Sequence, residues 1–317
     1  MRLIFAGTPE PAVVALETLL RDGNHEIVAV LTRPDARRGR GKGLAPSPVK
    51  EVALAHGIEV LTPTSLRDAE VQEQLRELAP DCIPVVAYGN LVPEELLDLP
   101  THGWVNLHFS LLPAWRGAAP VQAAIAAGDE ITGASTFVIE KGLDTGPVLG
   151  AVTEAIATTD TAGQLLERLA HSGARLLSAT MDGLAAGQLR PQPQPSAGVS
   201  YAAKISPQDA RVDWNQPAHI IARRSRAFTP APGPWTTLED KRLKLGALTE
   251  ASHAEAQRLD SEYDQAAAGT VVVEKHRVWV RAGVGFVELI NVQPPGKKMM
   301  AAPDWARGVN PHGKVCE

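Results

Sequence analysis

Asn106 and His108 stand two residues apart at the end of an apolar run, Val105-Asn106-Leu107-His108-Phe109. Side chains alternate along an extended chain, so the amide and the imidazole share one face while Val105, Leu107 and Phe109 pack behind them. Pro113 lies in the turn that follows, which places the polar pair at the rim of a pocket. A third group is Asp144, at the tip of the glycine-bounded stretch Lys141-Gly142-Leu143-Asp144-Thr145-Gly146. A carboxylate beside an imidazole orients the ring and pairs with its protonated form, so the three groups together can donate hydrogen bonds and move protons. Spacing alone does not bring Asp144 to His108. A single histidine on an apolar strand is ordinarily a satisfied core residue, and that plainer reading stays open at this point.

The elements that must position these groups are read from periodicity. Residues 2–6 predict a buried strand, Gly7 a turn, and Pro9 onward a helix with Val13, Leu16, Leu19 and Leu20 on one stripe. Further strands are expected at 26–32, 80–88, 103–108, 133–140 and 147–153, and a long amphipathic helix at 161–184. Near-continuous apolar strands separated by helices imply an α/β fold with a mostly parallel sheet covered on both faces. Ligands of such sheets bind beyond the carboxyl ends of the strands, where Gly7-Thr8-Pro9, Tyr88-Gly89-Asn90 and residues 106–117 would converge. Gly7-Thr8-Pro9 matches neither Gly-x-Gly-x-x-Gly nor a Walker sequence, so it reads as a plain turn. Residues 188–200 turn to Pro, Gln, Ser and Gly, which sets the expected domains at 1–187 and 208–317 with a linker at 188–207. After a helix at 217–228, short strand-like pieces at 241–247, 269–274, 277–282 and 285–292 predict a smaller β-barrel.

Composition removes several classes. With 317 residues, 44% hydrophobic and 21% charged, the chain has the make-up of a folded globular protein rather than a disordered one. No apolar run approaches the roughly 20 residues of a membrane span, and the opening Met-Arg-Leu-Ile-Phe-Ala-Gly is too short for a secretory signal. Cys82 and Cys316 have no neighbours at metal-ligand spacing, which argues against a disulfide framework or a zinc site and for a reducing cytoplasm. The net charge is −5, yet residues 208–317 carry 15 Lys+Arg against 13 Asp+Glu, so this half suits an anionic partner better. Between Arg33 and Gly43, five cations (Arg33, Arg37, Arg38, Arg40 and Lys42) alternate with glycines. Such a loop either tracks a phosphate backbone or is simply solvated.

Six ordered blocks carry a resemblance. They are Phe-Ala-Gly-Thr-Pro at 5–9, Gly-Arg-Gly-Lys at 39–42, Pro-Ser-Pro-Val-Lys at 46–50, Val-Val-Ala-Tyr-Gly at 85–89, residues 106–120, and Gly-Leu-Asp-Thr-Gly at 142–146. With Asp213-Trp214, Arg-Ala-Phe at 226–228 and residues 293–299, the whole chain resembles the methionyl-tRNA formyltransferase family. The resemblance implies a Rossmann-like formyltransferase domain followed by an OB-like β-barrel. It implies transfer of a formyl group from 10-formyltetrahydrofolate to the α-amino group of initiator methionyl-tRNA, without a metal, by a monomer. Carried over by position, Asn106, His108 and Asp144 would be catalytic. Ser110, Leu111, Leu112 and Pro113, with Val86, Tyr88 and Gly89, would form the folate site. Arg38, Arg40 and Lys42 would meet the acceptor end of the tRNA, and Arg223 and Lys297 its backbone.

Two positions depart from the family pattern: Phe109 follows the motif histidine where many members have Gly, and Asn90 stands where another side chain is common. Three other readings remain at this stage. Formyl transfer to a small amine such as glycinamide ribonucleotide would need neither the basic loop nor the barrel. A non-catalytic RNA-binding protein would leave Asn106, His108 and Asp144 without purpose. A nicotinamide oxidoreductase would need the glycine fingerprint that the first turn lacks.

Overall fold

The computed structural model describes residues 1–37 and 43–317, so Arg38, Arg40 and Lys42 lie outside the described residues. The chain divides into two compact units. One comprises residues 1–120, 131–155 and 166–201, and the other residues 121–130, 156–165 and 202–317. The segment read as a linker thus belongs, up to Tyr201, to the first unit.

The first unit is built on one sheet of seven strands: β1 (Arg2–Gly7), β2 (Glu26–Leu31), β3 (Glu59–Leu61), β4 (Ile83–Val86), β5 (Trp104–His108), β6 (Ile131–Val138) and β7 (Val148–Ala155). Their order is β7-β6-β5-β4-β1-β2-β3. The pairs β1–β2, β1–β4, β2–β3 and β4–β5 are parallel, whereas β6 runs antiparallel to both β5 and β7. Leu3, Ile4, Phe5 and Ala6 of the central β1 are fully buried, as a strand covered on both faces demands. Around it lie α1 (Glu10–Asp22), α2 (Pro48–Ala55), α3 (Ala69–Glu77) and α5 (Ala162–Ala185), the last entering from the other unit, to which most of α4 (Pro120–Ala127) belongs. Gly23 ends α1 in the left-handed region (φ 68°) with its N–H on the Leu19 carbonyl, and Ser47 caps α2 by accepting the Lys50 N–H at 3.1 Å.

Two differences from expectation have local causes. The strand foreseen over 80–88 is confined to Ile83–Val86, because Ala87 turns into the left-handed region (φ 48°) and starts the loop that carries Tyr88. The edge strand β3 was not foreseen, since three residues are too few for alternation to register.

The second unit holds α6 (Ala218–Ala227), β8 (Trp235–Leu238), β9 (Lys241–Leu245), β10 (Thr249–Glu250), α7 (His253–Tyr263), β11 (Val271–Val273), β12 (Val278–Arg281), β13 (Phe286–Glu288), β14 (Asn291–Gln293), β15 (Met300–Ala301) and α8 (Ala302–Val309). The strands form two four-stranded sheets, β8-β9-β14-β15 and β10-β13-β12-β11, and pair antiparallel throughout. One core joins them: Leu243, Leu245 and Val292 from the first sheet meet Val278, Val280 and Val287 from the second. The run expected as a single strand over 285–292 changes sheets midway. Leu289 still donates to Val278, while the Ile290 carbonyl already accepts from Ala302. Helix α7, not foreseen, opens on a capping box between Ser252 and Glu255.

Candidate active site

Strand β5 presents Asn106 and His108 on one face, as its period of two requires. Leu107 between them packs on α5, where a Cβ on Gly173 would lie 3.1 Å from its methyl carbons, so the polar pair faces away from that helix. Asn106 is half-buried and His108 is buried at 6% exposure, with the Phe137 ring edge-on at 6.4 Å. The turn after β5 is fixed from within. Ser110 Oγ donates to the Ala114 carbonyl at 2.6 Å, while Ser135 Oγ of β6 donates to the Ser110 carbonyl at 2.8 Å and accepts the Leu112 N–H at 3.2 Å. The turn delivers the Trp115 carbonyl to His108 Nε2 at 2.9 Å. A carbonyl only accepts, so Nε2 carries a hydrogen and Nδ1 is the ring atom turned toward Asp144, 3.7 Å from its Oδ2.

Val138, the last residue of β6, lies opposite Val105 at the start of β5, so residues 139–147 must return across the sheet face for Asp144 to reach His108. Gly146 permits that return, since a Cβ there would run into the Val138 carbonyl oxygen. Asp144 Oδ2 accepts the Gly117 N–H at 2.7 Å, a charge-assisted bond that fixes the carboxylate beside the ring. Trp115 (φ 58°) and Asp144 (φ 50°) both hold left-handed backbone, which costs a non-glycine residue about 1–3 kcal/mol. Hydrogen bonds hold each of them there. The Trp115 N–H donates to Ser200 Oγ at 2.9 Å, and the Asp144 carbonyl accepts from Gln194 Nε2 at 2.8 Å.

Sequence reasoning missed this supporting set. Gln194 Nε2 also donates to the Gly146 carbonyl at 2.8 Å, and its Oε1 accepts Arg116 Nε and Nη2 at 3.1 and 2.6 Å. The segment around it is tied down by reciprocal bonds between Gln192 and Val148 at 2.8 Å, and by the Arg116 N–H on the Ser200 carbonyl at 2.9 Å. A glutamine fifty positions from Asp144, in a Pro- and Gln-rich stretch, gives no local sign of such a role.

The residues expected to meet the folate fall into two turns beyond the carboxyl ends of β4 and β5. Val86 is buried at the end of β4. Tyr88 is buried, its carbonyl accepts Thr8 Oγ1 at 2.8 Å, and its hydroxyl accepts from Asn90 Nδ2 at 3.2 Å; burial pushes the phenol pKa up. Gly89 has φ 88°, and its carbonyl accepts Arg33 Nη1 at 2.9 Å, which also donates to Asn90 Oδ1 at 3.0 Å. Leu111, Leu112 and Pro113 are half-buried, whereas Ser110 is fully buried and its hydroxyl is used inside the turn. Among the described residues, no group of His, Cys, Asp and Glu could hold a metal ion, and no helix is long and apolar enough to cross a membrane.

Arg223 and Lys297, expected to meet tRNA, belong to the second unit and differ in setting. Lys297 is exposed in a turn closed by its N–H on the Pro294 carbonyl at 3.1 Å. Arg223 is half-buried with its guanidinium against Gly128, 2.6 Å from where a Cβ would stand. Its neighbour Arg226 has a buried Nε with no hydrogen-bond partner among the described residues, and burial, helped by the Arg223 charge, lowers its pKa. Unforeseen in the sequence, Arg211 and Arg242 lie over the Trp235 ring at 5.6 and 4.0 Å.

The formyl transferase family matches residues 1–181, and the formyl transferase C-terminal domain family matches residues 204–310. The chain is 57% identical to a methionyl-tRNA formyltransferase of Corynebacterium glutamicum (strain R) over 314 residues, covering 98% of this chain and 97% of that one. It is 58% identical over 308 residues to one from Mycolicibacterium paratuberculosis (strain ATCC BAA-968 / K-10), covering 97% of each. Among solved structures, the N-formyltransferase from Helicobacter canadensis in complex with folinic acid and dTDP-3-aminofucose shares the fold with a TM-score of 0.66, at 18% identity over 90% of this chain and 98% of that one. With both parts of the chain matched and relatives more than half identical along nearly its whole length, the chain belongs to the formyl transferase family and, within it, to the methionyl-tRNA formyltransferases.

Proposed function

We propose that this protein transfers the formyl group of 10-formyltetrahydrofolate to the α-amino group of methionine on initiator tRNA, giving N-formylmethionyl-tRNA, as a monomer in the cytoplasm. The first unit, which includes residues 188–201, carries the chemistry, and the second unit holds the tRNA. The observation that carries this reading is His108 Nδ1 facing the Asp144 carboxylate at 3.7 Å, on the strand face that Asn106 shares. The wall suits a folate. Leu111, Leu112 and Pro113 offer apolar contact to a flat ring, and Gly89 is exposed and carries no side chain of its own.

The chemistry is acyl transfer. Attack of the neutral amine on the formyl carbon puts negative charge on the formyl oxygen, and the Asn106 amide and the His108 ring are the donors placed to meet it. Removing one such donor typically costs about 2.7–4 kcal/mol of barrier. His108 Nε2–H is held by the Trp115 carbonyl, so the developing oxyanion, or N10 as it leaves, replaces that carbonyl as the acceptor. The attacking nitrogen loses one proton and N10 gains one. His108, backed by Asp144, passes that proton across the site. The 3.7 Å separation exceeds a hydrogen bond, as catalytic contacts often do before substrate tightens them.

Outside the first unit, Lys297 and the arginines on Trp235 supply cations for a phosphate backbone. Incubating the purified protein with 10-formyltetrahydrofolate and charged initiator tRNA, with free methionine and glycinamide ribonucleotide as rival acceptors, tests the proposal. Formylation of the charged tRNA in preference to both rivals is expected, and preference for either rival overturns it.

A further inference from the structure

We propose that Gln194 is a positioning residue for formyl transfer, holding the backbone of the Asp144 loop so that the Asp144 carboxylate faces His108. The inference rests on the reading of Asp144 as catalytic. Burial does little to hold this loop, because residues 141–143 are exposed and Leu143 stands 60% exposed at its tip. Asp144 moreover occupies left-handed backbone, which few residues other than glycine adopt. The tie is the Gln194 amide, whose two N–H groups go to the carbonyls of Asp144 and Gly146, both at 2.8 Å.

The orientation of that amide is itself fixed. Arg116 is buried at 9% exposure, and its Nε and Nη2 hydrogens need an acceptor, which Gln194 Oε1 supplies. Flipping the amide would set N–H against N–H and C=O against C=O. The residue after Arg116 then closes the circuit, since the Gly117 N–H donates to Asp144 Oδ2 at 2.7 Å. Arg116 orients Gln194, Gln194 sets the backbone of Asp144, and Gly117 receives its carboxylate. Both flanks of Gln194 are anchored, Gln192 on Val148 and Ser200 on Trp115 and Arg116, so the amide arrives at a defined height over the loop.

Gln194→Glu is the informative variant, because it keeps length and the acceptor for Arg116 while it replaces the donors to the two carbonyls with an anionic oxygen. Gln194→Ala removes both. In the full-length protein with charged initiator tRNA and 10-formyltetrahydrofolate, Gln194→Glu is expected to lower kcat about tenfold to a hundredfold, the cost of displacing a catalytic group by about 1 Å. KM for both substrates should stay within about twofold, and in an Asp144→Asn background the same change should cost less than about twofold more. Amide exchange at Gly117 should quicken in Gln194→Glu, because the carboxylate that shields it has moved.

A kcat within about twofold of the parent, a rise in KM alone, or the same loss repeated in the Asp144→Asn background overturns the positioning role. Unchanged exchange at Gly117 does so as well. If Asp144→Asn itself retains the parent rate, the catalytic reading of Asp144 falls and this inference with it. If Asp144→Asn is slow and Gln194→Glu is not, only the role of Gln194 falls.

Discussion

The Asp144 oxygen that accepts the Gly117 N–H at 2.7 Å is the same oxygen that faces His108 Nδ1 at 3.7 Å. A backbone donor therefore fixes the position of the carboxylate oxygen that faces the ring. Preorganised charge of this kind acts without reorganisation cost at the moment of reaction.

Asp144→Asn keeps the shape of the side chain and removes its charge. It should lower kcat by roughly a hundredfold or more, and His108→Ala and Asn106→Ala by about a hundredfold to a thousandfold each. If His108 and Asp144 act as a unit, as proposed, the double variant should be little slower than the worse single one. Single-turnover formylation measures this, and losses that multiply would separate the two residues mechanistically.

Gly146→Ala should disable the site through the backbone. The new Cβ meets the Val138 carbonyl oxygen, so the loop must shift and carry Asp144 with it. A fall in kcat together with a stability loss of about 1–3 kcal/mol is expected, against near-wild-type behaviour for the exposed tip variant Leu143→Ala. Melting curves and steady-state rates on both proteins decide it, and an active Gly146→Ala would show that the loop tolerates displacement.

What was legible in the sequence followed from short-range rules. The period of two puts Asn106 and His108 on one face, the apolar strands give the parallel part of the sheet, and the glycines mark the loop of Asp144. The approach of Asp144 to His108 was not readable from spacing, because a loop that returns across a strand has no periodic signature. Gln194, in a stretch that reads as linker, acts across fifty positions through side-chain bonds to main-chain carbonyls. Such contacts constrain geometry, not composition. Nor does the sequence show that the Ser110 hydroxyl, within a family motif, donates to the Ala114 carbonyl.

Arg223 and Lys297 should separate on salt. Lys297 is exposed, so Lys297→Ala should raise KM for charged tRNA and make the dependence of log affinity on log salt shallower by about one. Arg223 packs its guanidinium on Gly128, so Arg223→Ala should chiefly lower the melting temperature through lost packing and leave the salt slope nearly unchanged. Filter binding at several salt concentrations, with thermal melts, tests the pair. A shallower slope for Arg223→Ala would show that it reaches phosphate after all.

Burial pushes the thiols of Cys82 and Cys316 up to about 12, from an ordinary value of 9.0. Only the thiolate is nucleophilic, so the folded chain should resist alkylation at pH 8.5 and release both thiols to the reagent on denaturation. The same shift sets a sign for stability. The folded chain holds these protons to higher pH than the unfolded one, so the contribution is fully present below pH 9.0 and is lost as pH rises from there toward 12. Replacing Cys82 with Ala should flatten that part of the pH–stability curve while lowering stability at neutral pH, since the side chain is fully buried. Denaturant melts of parent and variant between neutral pH and pH 10 measure both effects, and rapid labelling of the native protein would show that the core opens far more readily than its packing implies.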